Sequence, residues 1–146
     1  MQVIGFNIEK IEAEKNLQEI KDLKVRYNAN IKNLSLEEMN IGKKQEVLKV
    51  NFEFKVEYEP NIGNISFTGN VLILEDPKKA RTTIEQWNKE KDASSPFSIQ
   101  IINIILVRAN IKALMIAQEV NLPPHIPLPR VSSSAAKKID PNNYIG

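Results

Sequence analysis

The sequence predicts an α+β fold, a four-stranded antiparallel sheet with two C-terminal helices on one face. Apolar and polar residues alternate with period two through the first half of the chain, which predicts strands. Two later segments begin with a capping residue followed by proline, Asp76-Pro77 and Ser95-Pro96, which is typical of helix starts. Strands with one apolar face each need a cover, and the two helices supply it.

The first strand is predicted to run to about Lys15. Ile4, Phe6 and Ile8 lie at even positions whereas Ile11 and Ala13 lie at odd ones, so a bulge near residues 9 and 10 is expected. The same segment also has apolar residues at helical spacing among charged ones, so an amphipathic helix is the competing interpretation. A loop or short helix is expected before the second strand.

The second strand is predicted from Val25 to Leu34, with a loop after it. The third, residues 46–59, has the clearest alternation in the chain, with one face for a core and one for water. The fourth, residues 65–75, follows a Pro-Asn-Ile-Gly-Asn turn and is therefore expected to be the antiparallel hairpin partner of the third.

The second helix, predicted from Pro96 to about Asn121, is apolar almost all round in its first half. Such a helix must be buried on more than one side, and a subunit interface is the simplest second cover. The alternative is that residues 15–45 fold over it. The residues predicted at the interface are Ile101, Ile102, Ile105 and Arg108. The first helix, from Pro77 to about Lys91, has a thin apolar stripe that includes Trp87, which is expected to fill the core.

A proline-rich segment follows, with four prolines from Pro123 to Pro129. It cannot be helical or lie inside a sheet, so it is predicted to run extended with Ile126 and Leu128 as anchors. Residues 132–146 are predicted to be a disordered polar tail, after a single domain formed by residues 1–131.

The composition argues against nucleic-acid binding, metal binding and catalysis. The 20 basic and 18 acidic residues are interspersed and give a net charge of +2, which is weak support for nucleic-acid binding. Cysteine is absent, which excludes disulfides and thiolate metal sites. The one histidine, His125, has prolines and aliphatic residues as sequence neighbours and is expected to be packed or exposed. No catalytic residue, metal site or cofactor is predicted, and an enzyme is not expected.

The first 15 residues show no signal peptide, because they carry charges and no apolar run. The most apolar stretch, residues 99–109, is interrupted by polar residues and falls short of the roughly 20 apolar residues that a membrane span needs. A cytoplasmic protein without membrane insertion is therefore expected.

The order of these parts resembles the SecB export chaperone family. The most specific stretch is the long helix that opens with Ser95-Pro96-Phe97 and closes with the proline-rich residues from Asn121 to Val131. The segment from Gly5 to Ile11 is similar to the family's first strand. The resemblance covers about residues 3–131 and consists of apolar and proline patterns, with no catalytic signature.

The resemblance implies a tetramer, built as a dimer of dimers with the long helices between dimers. It also implies nucleotide-independent binding of unfolded or preprotein clients in apolar grooves, so the expected function is that of a holdase, with service to protein export as its specific form. The expected groove residues lie on the first strand, in the loop after the second and beyond the last helix: Phe6, Ile8, Ile11, Leu36, Met39, Ile41, Leu122, Ile126 and Leu128. For each of them, core packing is the alternative.

Charge separates this chain from the familiar bacterial members, which are acidic and pass clients to the SecA motor through an acidic sheet surface. Here the outer face of the third strand mixes lysine with glutamate, which argues against delivery to SecA. A general holdase and a chaperone linked to a toxin–antitoxin pair both remain open. A dedicated protein–protein adaptor is the first alternative, and a single-stranded nucleic-acid binder is a more distant one because its candidate aromatics, Tyr58 and Phe67, are predicted to point inward.

Overall fold

The computed structural model describes residues 1–16 and 21–132. Within them, the alternating segments form four strands and the two segments that begin with proline form helices. The strands are β1 (Gln2–Lys15), β2 (Lys24–Ile41), β3 (Lys43–Glu59) and β4 (Gly63–Leu74), and the helices are α1 (Pro77–Glu90) and α2 (Pro96–Glu119). The four strands form one sheet in the order β1-β4-β3-β2, and every neighbouring pair is antiparallel. The predicted fold class is confirmed.

Two bulges in β1 keep its apolar side chains on one face. The register against β4 shifts between Ile8 and Lys10, as predicted, and also between Val3 and Gly5. Ile8 pairs with Gly69 and Ile11 pairs with Phe67, both on the side of β4 that faces the core. Phe6 and Ile8, at even positions, therefore share the helix side of the sheet with Ile11, and Gln2–Lys15 is a strand and not the competing amphipathic helix. Residues 17–20, where a loop or short helix was expected, lie outside the described residues.

Strand β2 continues seven residues past its predicted end at Leu34. Leu36, Met39 and Ile41 were expected in a loop and are strand residues instead, paired with Leu48, Gln45 and Lys43. The turn that makes this possible is a single glycine, Gly42, whose φ of 74° is readily available only without a Cβ. Long-range pairing with β3 thus overrides a local sequence that favours no particular structure.

The core lies between the sheet and the helices. All six apolar residues of alternating register in β3, from Leu48 to Tyr58, are at most 1% exposed, as the alternation predicts. Aromatic rings stack across strands: the Phe54 and Phe67 centroids are 5.8 Å apart, and those of Phe6 and Phe52 are 5.2 Å apart. These contacts fix the register, because a slip of one residue would turn every ring to the other face.

Helix α1 begins where the sequence predicts, with the Asp76 carboxylate accepting a hydrogen bond from the Lys78 amide. It ends at a left-handed C-cap on Lys91. Trp87 is 8% exposed within the core cluster, so its predicted role as core filling is confirmed. The guanidinium of Arg81 ties the helix to β3 through both carboxylate oxygens of Glu46, at 3.1 and 3.2 Å.

Helix α2 lies over β2, β3 and β4. Its sheet-facing side carries residues at four-residue spacing, all at most 1% exposed: Ile101, Ile105, Ala109, Ala113 and Ala117. The alanines let the C-terminal half approach the sheet closely. Within the described residues, α2 is also the one helix long and apolar enough to cross a membrane by length and composition alone, a property that core helices share.

The proline-rich segment returns across the helix side of the sheet, extended as predicted. The Tyr58 hydroxyl donates a hydrogen bond of 2.6 Å to the Pro123 carbonyl, and burial raises the pKa of Tyr58 to about 12. The predicted disordered tail falls almost wholly on residues 133–146, outside the described residues, so the tail and the domain boundary remain predictions.

Candidate functional site

An apolar surface remains open on the helix side of β1. Because α2 lies over the other three strands, the inward side chains of β1 are only partly covered: Phe6 and Ile8 are half-buried, and Ile11 is 46% exposed. Beside them, Arg108 of α2 lies over the Phe6 ring. We call Phe6, Ile8, Ile11 and Arg108 the β1–α2 ledge.

Arg108 marks where the strand and helix sides of the ledge meet. Its guanidinium carbon lies 5.3 Å from the centroid of the Phe6 ring, close enough for a cation–π contact. Phe6 in turn stacks on Phe52 in the core. One chain of contacts therefore runs from the core through Phe6 to a charged side chain exposed on α2.

The free edge of β1 borders the same ledge. In the strand order β1-β4-β3-β2, β1 has one neighbour, and the main-chain groups on its other side have no strand partner within the sheet. Such an edge is a template for another extended chain. An apolar face next to an open edge suits an extended polypeptide, because side chains bind the face while the main chain pairs with the edge.

The predicted groove residues of β2 do not join this ledge. Leu36 lies on the helix side of the sheet and is half-buried near its partner Leu48. Met39 and Ile41 point to the opposite face, because side chains alternate along a strand and both have odd positions where Leu36 has an even one. The expectation of one groove through all three is therefore wrong, and the strand geometry is the reason.

The three predicted groove residues of the proline-rich segment differ in burial. Leu122 is 5% exposed and belongs to the core, where its methyl carbons pack against Gly63. Ile126 is half-buried and Leu128 is 52% exposed. The alternative of core packing holds for Leu122, and the other two remain available at the surface.

The predicted interface on α2 needs a correction of register. Ile101 and Ile105 are fully buried against their own sheet, so they leave no surface for a neighbouring subunit. Ile102 is half-buried and Arg108 is exposed. The exposed apolar residues are on other sides of the helix: Ile99, Val107, Ile111 and Met115, at 49% to 64% exposure.

The sequence did carry a signal for this register. Ala109, Ala113 and Ala117 continue the spacing of Ile101 and Ile105 toward the C-terminal end. A line of alanines in a helix rich in isoleucine indicates the side that must approach another element closely. The first half of α2 is apolar on nearly every side and does not indicate which side faces the sheet, whereas the alanines of the second half do.

His125, in the proline-rich segment, is buried at 6% exposure. Its Nε2 lies 2.7 Å from the Asn110 amide oxygen, and its Nδ1 has no hydrogen-bond partner among the described residues. The Tyr27 ring meets it edge-on at 5.5 Å. Burial lowers the pKa of His125, so the ring is held neutral and links the segment to α2.

The outer face of the sheet is polar, and much of its charge is paired. It holds a shallow depression of about 500 Å³ with lysine and glutamate side chains around it. Ion pairs cross it or border it: Lys10–Glu12 at 2.9 Å, Lys55–Glu53 at 3.5 Å and Lys32–Glu53 at 3.6 Å. Charges that neutralise one another make this face a weaker candidate than the ledge.

One outer-face position departs from expectation. Val47 alternates with the core residues of β3 and so lies on its outer face, yet it is fully buried. Across residues 1–16 and 21–132, no group of three or more histidine, aspartate or glutamate side chains is placed to hold a metal ion.

Comparison with known proteins supports the fold. No family model matches the chain, and no curated protein sequence matches it. Among solved structures, it is similar to the Mycobacterium tuberculosis Rv1957 SecB-like chaperone in complex with a ChAD peptide from the Rv1956 HigA1 antitoxin. The match has 12% identity and a TM-score of 0.50, and it covers 90% of each chain. The predicted resemblance is therefore confirmed at the level of architecture: this chain has a SecB-like fold.

Proposed function

We propose that this protein is an ATP-independent chaperone that holds extended segments of non-native polypeptides on the β1–α2 ledge. The observation that carries the proposal is the exposure of apolar side chains on the helix side of β1, with Ile11 at 46%, next to the unpaired edge of the same strand. Contiguous exposed apolar surface on a folded protein marks an interaction site.

Physical chemistry favours an unfolded partner over a folded one at this place. An extended chain offers apolar side chains at every second position and free main-chain groups between them. The ledge supplies apolar contacts, and the edge of β1 supplies main-chain donors and acceptors. Main-chain pairing is independent of sequence, so such a surface accepts many clients with modest discrimination.

A dedicated adaptor is the second candidate. The SecB-like neighbour was solved with a peptide from an antitoxin, which supports binding of one short segment from one partner. The two candidates share the ledge and differ in selectivity. In its more specific form, the holdase serves protein export and the adaptor serves a toxin–antitoxin pair.

The test measures whether this protein, at stoichiometric ratio and without nucleotide, suppresses the aggregation of several unrelated denatured proteins. We expect wild-type protein to suppress aggregation and Ile11→Asp to lose most of that activity, because a charge on the ledge must be desolvated when an apolar client binds. Ile41→Asp is the matched control, since Ile41 is similarly exposed, at 39%, but lies on the opposite face.

The outcomes separate the candidates. Failure of the wild type on every client contradicts the holdase, and capture of one partner at fixed stoichiometry supports the adaptor. Equal loss in both aspartate variants contradicts the ledge as the binding surface.

We also propose self-association through the solvent side of α2, where Ile99 and Val107 are 49% and 64% exposed. Val107→Asp is then expected to lower the native mass measured by sedimentation without unfolding the protomer. A wild type that sediments as a monomer contradicts this part of the proposal and leaves the client-binding part untouched.

A further inference from the structure

Two cations stand on the ledge side of α2 without an acidic partner. Within the described part of the chain, no carboxylate lies within ion-pair distance of Arg108 or Lys112. They are four residues apart, so they occupy neighbouring turns on the same side of the helix. The only acidic residue of α2 is Glu119, at its last turn. This contrasts with the sheet's outer face, where lysines and glutamates pair with one another.

The acidic residues of β1 cannot neutralise these cations, because they point to the other face of the sheet. Glu9 accepts a hydrogen bond from the Asn70 side chain on the outer face. Glu12 pairs with Lys10 at 2.9 Å, and Glu14 follows at the next outward position. The helix side of β1 carries apolar side chains, and the ring of one of them, Phe6, lies 5.3 Å from the Arg108 guanidinium carbon.

The position of Arg108 beside the Phe6 ring strengthens the attraction of its guanidinium for an anion. The Arg108 side chain is exposed, but the Phe6 ring covers one side of its guanidinium, so its attraction for a carboxylate exceeds that of a lysine with water on all sides. The Phe6 ring lies under the guanidinium and restrains its orientation, while the hydrogen-bonding edge of the fork is left for another group. Arginine and carboxylate match in a planar, two-bond arrangement.

We infer that Arg108, assisted by Lys112, makes the ledge select client segments that carry an aspartate or glutamate among apolar residues. The inference rests on the proposed function and names its substrate class. If such a segment pairs with the edge of β1, every second side chain faces the ledge. An acidic side chain two positions from an apolar one then places its carboxylate at Arg108 and the apolar group on the strand.

The experiment uses two short peptides with blocked termini that differ at one position. Both alternate leucine and phenylalanine with small polar residues, and the central ledge-facing position is glutamate in one and glutamine in the other. Binding to the full chain is measured by fluorescence anisotropy. We expect the glutamate peptide to bind about tenfold more tightly, as a charge-assisted hydrogen bond would give. The preference should fade as salt is raised.

Three variants assign the preference to Arg108. Arg108→Gln should bind both peptides alike, at the affinity of the wild type for the glutamine peptide. Arg108→Lys should keep part of the preference, since it keeps the charge and loses the planar fork. Lys79→Gln is the control, because it removes an exposed charge from α1, away from the ledge, and should leave the preference unchanged.

Each other result overturns the inference in a recognisable way. If neither peptide binds the wild type, the proposed function fails with it. If both peptides bind with equal affinity, the ledge binds clients but does not select charge. If Arg108→Gln weakens both peptides equally, the side chain acts only by packing on Phe6. If the variant changes the native mass and not the peptide preference, Arg108 belongs to a subunit interface.

Discussion

Acidification should destabilise this protein through one side chain, His125. The ring is 6% exposed, and its Nε2 is 2.7 Å from an amide oxygen, which requires Nε2 to carry the proton as donor. A second proton would sit on Nδ1, which has no hydrogen-bond partner in residues 1–16 and 21–132. Protonation therefore buries an unsatisfied donor and a charge, and burial lowers the pKa of His125 for this reason.

The sign and size of the effect follow from linkage. The unfolded chain takes up a proton near the ordinary pKa of 6.5, whereas the folded chain does so only at lower pH. Stability is therefore complete above pH 6.5 and falls as pH decreases below it, by up to about 1.4 kcal/mol per pH unit. At about pH 5.5, one unit below that ordinary value, the loss is at most about 1.4 kcal/mol. Exposed acids with a lowered pKa, Glu12 and Asp92, contribute only at more acidic pH, below their ordinary values of 4.5 and 3.8.

Urea unfolding at about pH 7.5 and about pH 5.5 measures this loss, because an m-value of about 2 kcal/mol/M converts each kcal/mol into a midpoint shift of about 0.5 M. Fluorescence of Trp87, the single tryptophan, reports unfolding from a buried position. The control is His125→Gln, which keeps a donor for Asn110 and cannot titrate. Because the chain has no other histidine, its midpoint should stay constant over this range. A wild-type midpoint that does not move, or a variant that shifts equally, refutes the reasoning.

The remaining predictions concern packing and capping, and each is read from a denaturation midpoint. Ile105→Ala should lose about 2–5 kcal/mol because the side chain is fully buried, whereas Leu128→Ala, at 52% exposure, should change stability by less than about 0.5 kcal/mol; similar losses would contradict the burial. Gly69→Ala should cost more than about 2 kcal/mol because its Cβ would lie 2.0 Å from a main-chain oxygen of β1, while at Gly5 the nearest atom is a flexible leucine methyl at 3.2 Å and the cost should be smaller; a reversed order would contradict the register. Asp76→Ala should cost about 1 kcal/mol by removing the N-cap of α1, and no loss would show that the cap is dispensable.

Local patterns determined much of this protein in advance. Alternation fixed which side of β3 is buried, and the phase shift between Ile8 and Ile11 placed a bulge within a residue of its position. Capping residues followed by proline set the starts of both helices. These features were predictable because each depends on main-chain geometry and hydrogen bonds within a few residues, where neighbouring positions carry the whole signal.

Tertiary structure decided the rest. The segment after Leu34 became strand because β3 extends to meet it across Gly42, and that pairing sent Met39 and Ile41 to the face opposite the helices. Ile105 and Ile111 are the same residue type in the same helix, yet Ile105 is fully buried and Ile111 is 61% exposed. Composition cannot distinguish them, because burial depends on where the sheet lies, and that placement is a sum of contacts between residues far apart in sequence.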